Sequence, residues 1–317
     1  MKILCSHSDL DGVGPLIIND FYGINFDKVY IISYEDIKDN QNNFIFPNNF
    51  SIRPEDEVTV TDISMMPELY EYIKTAKSYI IFDHHDETAL IVDDPNVTYS
   101  KTKSGSLLYF EYITKGQRVP LKLKKFIDLV NTYDTFNDAS PLWEEAQNLN
   151  RIFYKIYSYG LKNRYEAVQR FIQIQVRKLN NKLVESFFFS DYEKSLIQEV
   201  IQKENELFQK AKKEIKTRKD NVGNTFGVIV LPSKISIVCF NLLNTYKGLD
   251  YIIAINSYRG INGKVSVRAQ KEGKINVNYL TGIKGHEKAG GGEFPIDFLR
   301  DFWESNSYLD YNMPETA

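Results

Sequence analysis

Apolar and polar positions follow two rhythms along the chain. In the first part, short apolar runs recur: KILCSH (2–7), KVYIISY (28–34), EVTVTDIS (57–64) and SYIIFDHH (78–85). Each has strand length. Between them, GVGPLIINDFYG (12–23) and MPELYEYIKTA (66–76) carry helix-like apolar spacing. Pro67 stands near the start of the second, where a helix tolerates proline. Strands alternating with helices predict a βαβ succession and a mostly parallel sheet flanked by helices, an α/β fold.

From about residue 104 to 218 the rhythm lengthens into helical patterns: SGSLLYFEYITKG, LKKFIDLVNTYDTF, LWEEAQNLNRIFYKIYSYG, RYEAVQRFIQIQV and DYEKSLIQEVIQKENELFQKAKKEIKTRK. The last reads as a connecting helix, its Lys, Glu and Gln facing outward between apolar positions. Its basic end, KAKKEIKTRK (210–219), reads as a solvated helix end, because acids interleave with it. A turn-rich stretch, TRKDNVGN (217–224), marks a boundary. Beyond it, TFGVIVLP, KISIVCFNLL, DYIIAINSY and KVSVRAQ alternate as strands, with helices predicted over 234–247 and 276–284. There is no internal repeat and no low-complexity tract.

At 317 residues the chain is long enough for about two domains, and its 43% hydrophobic fraction fills a sizeable core. A net charge of −3 and a pI near 5.9 argue against a globally basic nucleic-acid surface and leave room for a local basic cleft. Cys5 and Cys239 are the only cysteines, too few for a disulfide framework. Cys5, among apolar strand residues, reads as core. The start has no signal-peptide pattern, and no apolar stretch reaches the ~20 residues of a membrane span. The expectation is a soluble, cytoplasmic protein with no membrane partner.

Ligand-type residues collect just past the predicted strand ends. His7, Asp9 and Asp11 follow the first strand, Asp62 ends EVTVTD, and Asp83, His84 and His85 end SYIIFD. Loops at the carboxyl ends of parallel strands converge on one crevice. Asp134, in NTYDTF, lies in a helical region that reaches the same crevice from the side. The set holds carboxylates and imidazoles and no thiolate, which suits Mn²⁺ or another divalent first-row ion. It exceeds the needs of one ion. Two ions about 3.5–4 Å apart, sharing a carboxylate, would use it and would serve phosphoryl transfer. Of 4 histidines in the chain, three lie in these motifs and the fourth, His286, in KGHEKAGGG.

SHSDLDGVG, VTDIS, FDHHD and NTYDTF, in this order, resemble the four motifs of the DHH phosphoesterase superfamily. KVSVRAQ, INVN and KGHEKAGG (264–291) resemble the DHHA1 domain that accompanies it. The resemblance covers essentially the whole chain. It implies a DHH catalytic domain over 1–190, a connecting helix over 191–220 and a smaller mixed α/β DHHA1-like domain over 221–317, with the active site in the cleft between domains. It implies that His7, Asp9 and Asp62 hold one metal ion, and that Asp11, Asp62, His84 and Asp134 hold the other, with Asp62 bridging. The ions implied are two Mn²⁺, with Mg²⁺ the alternative. His85 would meet the scissile phosphate, and Asp83 would fix a histidine tautomer beside it. Arg268, His286 and the backbone around Gly285 would grip substrate phosphate. The glycine pattern around His286 departs from the family's. The GGG at 290–292 also reads as a hinge or turn, and LKLKK (121–125) as either a substrate-facing or a solvent-facing stripe.

The resemblance to nanoRNases and cyclic-dinucleotide phosphodiesterases favours hydrolysis of short single-stranded RNA or DNA, or a dinucleotide, from one end to mononucleotides. A RecJ-type single-stranded DNA exonuclease, which usually carries an extra oligonucleotide-binding module, is the nearest rival. A cyclic-dinucleotide hydrolase comes next, then an inorganic pyrophosphatase, and last a binding module with a vestigial metal site. Polarity of attack, RNA or DNA preference and oligomeric state stay open; a homodimer is compatible, since some relatives pair through the first domain. The 21 tyrosines and 20 phenylalanines read mostly as core. One or two rings stacking on a base is compatible with the sequence, which does not identify them.

Overall fold

The computed structural model describes residues 1–33, 50–158, 164–232, 235–256 and 262–312. The chain divides into two compact units, Met1–Ile197 and Gln198–Ala317.

In the first unit, β1 (Lys2–His7), β2 (Lys28–Ile32), β3 (Glu57–Thr61), β4 (Ser78–Asp83) and β5 (Val97–Tyr99) form a parallel sheet of order β2-β1-β3-β4-β5. Ser6 pairs with Thr61, and Thr61 with Phe82, so the segments after β1, β3 and β4 leave the sheet at one level. Both faces are covered, as a parallel sheet requires. Ile3, Cys5, Val58, Val60 and Ile81 pack against Leu69 and Ile73 of α2 (Pro67–Ile73). Each such fully buried aliphatic side chain contributes about 1.5–3 kcal/mol. α1 (Leu10–Tyr22) and α3 (Gly105–Ile113) pack against each other, and the Phe82 ring of β4 meets Tyr109 of α3 at 5.4 Å. α4 (Leu121–Asp134), α5 (Trp143–Ser158) and α6 (Arg164–Leu179) complete the helical part. α7 (Asp191–Glu214) runs across the division into the second unit.

The second unit holds β6 (Lys216–Lys219), β7 (Thr225–Leu231), α8 (Ile235–Thr245), β8 (Tyr251–Asn256), β9 (Asn262–Ala269), β10 (Lys284–His286), β11 (Ala289–Pro295) and α9 (Ile296–Glu304). Its sheet, β10-β11-β9-β8-β7-β6, is mixed: β7 and β8 are parallel and every other pair is antiparallel. Buried Arg218 donates to the carbonyls of Phe302 (2.6 Å) and Trp303 (2.8 Å) in the last turn of α9, and to that of Ser307 (3.1 Å) beyond it.

Four sequence expectations need correction. KISIVCFNLL, read both as a strand and within the helix expected over 234–247, is the helix α8: Val238, Cys239, Leu242 and Leu243 fall on one helical stripe that packs against Ile229, Leu231, Ile252 and Ala254. The helix expected over 276–284 is a single 3-10 turn, Val277–Tyr279, after which β10 pairs with β11. The glycine triplet belongs to β11 and is no hinge. The basic helix end at 210–219 stops at Glu214, because Lys216–Lys219 pairs with β7. The final residues of the runs at 28–34, 142–160 and 250–258, and the start of 234–247, lie outside the described residues. No described helix is long and apolar enough to cross a membrane.

Candidate metal centre

The strand ends of the first unit deliver the ligand-type residues to one place. Asp9 caps α1, its Oδ1 accepting from Gly12 N–H at 3.0 Å, while its Oδ2 lies 3.0 Å from His7 Nδ1. His7 Nδ1 is also 3.6 Å from Asp62 Oδ2. The other oxygen of Asp62 lies 3.4 Å from His84 Nε2, and that nitrogen is 3.2 Å from Asp134 Oδ2. Asp62 therefore stands between the two histidines. Three sets of ligand atoms, each within 4.8 Å of one another, result: His7, Asp9 and Asp62; Asp11, His84 and Asp134; and Asp62, Asp83, His84 and His85. All the metal-ligand candidates of the sequence belong to these sets.

Local structure holds them there. Asp62 follows β3 with φ +56°, a left-handed conformation that costs a non-glycine residue about 1–2 kcal/mol. Its backbone is pressed by Gly105, where a Cβ would come within 2.8 Å of Asp62 N and Cβ. Asp11, in the first turn of α1, accepts from the first amides of α3: Gly105 N–H at 2.7 Å and Ser106 N–H at 3.1 Å. Pro15 lies inside α1 and has no N–H to give the carbonyl four residues before it, that of Asp11. The Ser106 hydroxyl donates to that carbonyl instead. Gly14 leaves the room this requires, since a Cβ there would run into Ser106. α1 and α3 are thus locked at the turn that carries Asp11.

The electrostatics call for positive charge. Burial, with the neighbouring Asp9 and Asp11, pushes the Asp62 carboxyl well above the usual carboxylate range. Burial and Asp11 do the same to Asp134. Burial and the nearby Asp9 also raise Asp11, against the pull of His84. Burial works to lower His7, but Asp9 and Asp62 hold it well above its ordinary value. His84 is raised against burial by Asp134 and Asp11. Burial works to raise Asp9, yet His7 and the Gly12 amide hold it below the usual range. Asp62 Oδ2 and Asp134 Oδ2 are buried without a hydrogen-bond partner among the described residues. A buried carboxylate oxygen left so is costly unless a cation meets it. The residues present fit divalent ions with oxygen and nitrogen ligands.

Asp83 takes a different place. It is fully buried, and both its oxygens are engaged: Oδ1 lies 2.7 Å from His85 Nδ1, and Oδ2 accepts from the Thr88 hydroxyl. Thr88, also fully buried, accepts in turn from Met65 N–H at 3.0 Å. A relay thus runs from the loop after Asp62 through Thr88 and Asp83 to the His85 ring. Burial opposes the Asp83 charge, but His85 and the Thr88 hydroxyl hold the carboxyl below the usual range. Sequence reasoning did not single out Thr88, Gly105 or Ser106. Gly105 and Ser106 stand far from their partners in the chain, inside a stretch whose only signal is a helical pattern.

In the second unit, Arg268 of β9 is partly buried. Its Nη1 donates to Val267 O (2.8 Å) and Gly290 O (3.4 Å), and its Nη2 to Ser236 Oγ (2.8 Å). Gly285 adopts φ +145°, and a Cβ there would come within 2.6 Å of Ala289 O. Residue 286 pairs with Ala289, and Ala289 with Arg268, so positions 286 and 268 share one row across β10, β11 and β9. The His286 side chain lies outside the described residues. Burial pushes the thiols of Cys5 and Cys239 far up, and both belong to the core.

No family model matches the sequence, and no curated protein matches it. Solved structures do. The DHH domain of a member of the s1p family of ribosomal proteins aligns at 14% identity over 98% of this chain and 87% of that one, with a TM-score of 0.60. The pGpG-specific phosphodiesterase PggH from Vibrio cholerae aligns at 12% identity over 96% of this chain and 97% of that one, with a TM-score of 0.57. Exonuclease RecJ bound to manganese aligns at 16% identity over 96% of this chain and 88% of that one, with a TM-score of 0.47. The parallel sheet flanked by helices, followed by a second unit built on a mixed sheet, is the fold of the DHH-domain proteins.

Proposed function

We propose that the chain is a metal-dependent phosphodiesterase that hydrolyses short oligonucleotides from one end to mononucleotides. One observation carries this reading: buried Asp62 stands between His7 and His84, with acids on both sides, and Asp62 Oδ2 and Asp134 Oδ2 have no hydrogen-bond partner among the described residues. His7, Asp9 and Asp62 would hold one ion, and Asp11, Asp62, His84 and Asp134 the other, Mn²⁺ being the ion these donors suit. Bound there, the ions supply positive charge to a phosphate and make a coordinated water easier to deprotonate.

The chain's own residues do the rest. The α3 amides fix Asp11, so its remaining lone pairs keep one direction. Asp83 receives Nδ1–H of His85, which leaves Nε2 to meet a phosphate oxygen or the leaving oxygen, and Nε2 donates when the ring carries both protons. Arg268, Gly285 and His286 are assigned to the far phosphate. Ser236 and two carbonyls orient the Arg268 guanidinium, and a planar fork suits a phosphate. The acidic balance of the chain favours short substrates, because a long polyanion track relies on many Lys and Arg contacts. That a pGpG-specific phosphodiesterase is built on this fold agrees with a dinucleotide-sized substrate.

A substrate panel with Mn²⁺ tests the reading: RNA and DNA from dinucleotides to long single strands, cyclic di-AMP, 3′-phosphoadenosine phosphate and pyrophosphate. The expected result is preferential cleavage of the shortest linear oligonucleotides. Processive digestion of long single-stranded DNA would replace this reading with the exonuclease, and phosphate release from pyrophosphate alone would end it.

A further inference from the structure

The turn after Asp134 departs from the usual way a helix ends. α4 closes with Asn137 N–H donating to Thr132 O at 2.9 Å and Phe136 N–H donating to Tyr133 O at 3.1 Å. Glycine ordinarily occupies the left-handed corner of such a turn. Here that corner is Phe136, at φ +50°. A bulky residue there is strained, because its Cβ crowds the backbone. Core burial does not explain the choice, since Phe136 is partly exposed. Its ring rests edge-on against Trp143, with centroids 4.8 Å apart and planes at 66°. Trp143 lies nearly parallel to Tyr133, at 6.0 Å and 11°. Tyr133 and Trp143 are partly exposed as well. Three rings, none fully buried, therefore gather at the end of the helix that carries Asp134, and two of them flank that carboxylate in the chain.

We propose that Tyr133, Phe136 and Trp143 form a stacking face for a nucleobase of the substrate, next to the metal centre. The chemistry recognised is the flat π-surface of a base on a sugar phosphate. Such a face accepts any base, because every base has one. Backbone strain held at a partly exposed ring beside a candidate ligand is the kind of outlier that marks a functional position. The inference rests on the phosphodiesterase reading and names which rings would choose nucleotides over base-free phosphoesters.

The test compares adenosine 5′-monophosphate with ribose 5-phosphate, which differ only by the base, by calorimetric titration of the full-length Mn²⁺-loaded protein. Wild type should bind the nucleotide more tightly. Phe136→Gly fits φ +50°, so it should leave the melting temperature unchanged or higher. It should weaken nucleotide binding by about tenfold or more, the loss expected for a stacked base, and leave ribose 5-phosphate binding as it was. A Phe136→Gly protein with wild-type preference for the nucleotide would overturn the inference. So would one that is destabilised and loses both ligands in parallel, since the ring would then be packing alone. A second readout avoids the platform mutation: with Trp303→Phe, Trp143 is the only tryptophan. Its emission should be quenched by the nucleotide and not by ribose 5-phosphate; equal responses to the two would contradict base contact. Asp62-dependent cleavage of bis(p-nitrophenyl) phosphate, measured in parallel, separates the two ideas. If it persists while base preference is absent, only the stacking face is wrong. If wild type does not cleave it, the metal-centre reading has failed.

Discussion

Replacing Thr88 with valine keeps the shape of the side chain and removes one hydroxyl. In the folded protein that hydroxyl donates to Asp83 Oδ2 and accepts Met65 N–H at 3.0 Å, with Thr88 fully buried. The variant leaves the buried Met65 amide without its partner and Asp83 Oδ2 with only the His85 N–H at 3.4 Å. At about 1–3 kcal/mol for the amide and less for the oxygen, the cost is about 2–4 kcal/mol together. At about 2–4 °C per kcal/mol for a unit of this size, the melting temperature should fall by roughly 10 °C. Asp83 would also hold the His85 ring less firmly. Proton placement by a side chain contributes about 10²–10⁴-fold, and kcat for a dinucleotide should lose part of that, about tenfold, with KM little changed. Thr88→Ser should restore both. On a His85→Ala background, Thr88→Val should cost no further kcat, because the relay ends at that ring. Differential scanning calorimetry and steady-state kinetics on wild type and the four variants read this out. A Thr88→Val protein with wild-type melting temperature and kcat would refute the relay, as would an additional kcat loss on the His85→Ala background.

Other changes follow from the same geometry. Gly105→Ala places a methyl 2.8 Å from Asp62 N and Cβ, which cannot yield cheaply, so Mn²⁺ affinity measured by calorimetry should fall at least about tenfold. Raised acids and histidines bind protons in the metal-free fold that the unfolded chain has released, so this set of groups stabilises the metal-free protein less as pH rises from about 5 to 8. Mn²⁺ displaces those protons, so the increase in melting temperature on adding Mn²⁺ should be larger at pH 8 than at pH 5.5; the reverse order would contradict the ligand set. At about a hundredfold excess over the dissociation constant, Mn²⁺ should add about 2.7 kcal/mol, which EDTA should remove. Arg218→Met removes the guanidinium from the carbonyls of Phe302, Trp303 and Ser307, of which Trp303 keeps the Lys216 ammonium, and should destabilise the protein by about 2–4 kcal/mol, while Mn²⁺ stoichiometry stays unchanged.

The first-unit strands and the acids after them were legible because one pattern carries both. An apolar run of strand length ending in Asp or His fixes the strand, and the parallel arrangement brings the ends together. The left-handed backbone of Asp62 was not legible, because it follows from the close approach of Gly105 from a distant helix. Thr88 was missed because an isolated threonine gives no sign that it will join Asp83 to Met65. Local pattern failed most in the second unit. INVNYLTGIK has apolar residues at helical spacing, but the β10–β11 hairpin claims its end, with Gly285 in a conformation open to glycine. GGG offers no side-chain periodicity at all, so its place in β11 was invisible. The short β5 escaped notice because three residues make no periodic signal.

The central claim is that His7, Asp9, Asp11, Asp62, His84 and Asp134 hold a pair of divalent ions through a shared Asp62. Anomalous scattering at the manganese edge from crystals grown with Mn²⁺ tests this directly. Two peaks are predicted, one on each side of the Asp62 carboxylate, and both should weaken or vanish in crystals of Asp62→Ala. A single peak away from these side chains, or two peaks that survive that substitution undiminished, would contradict it.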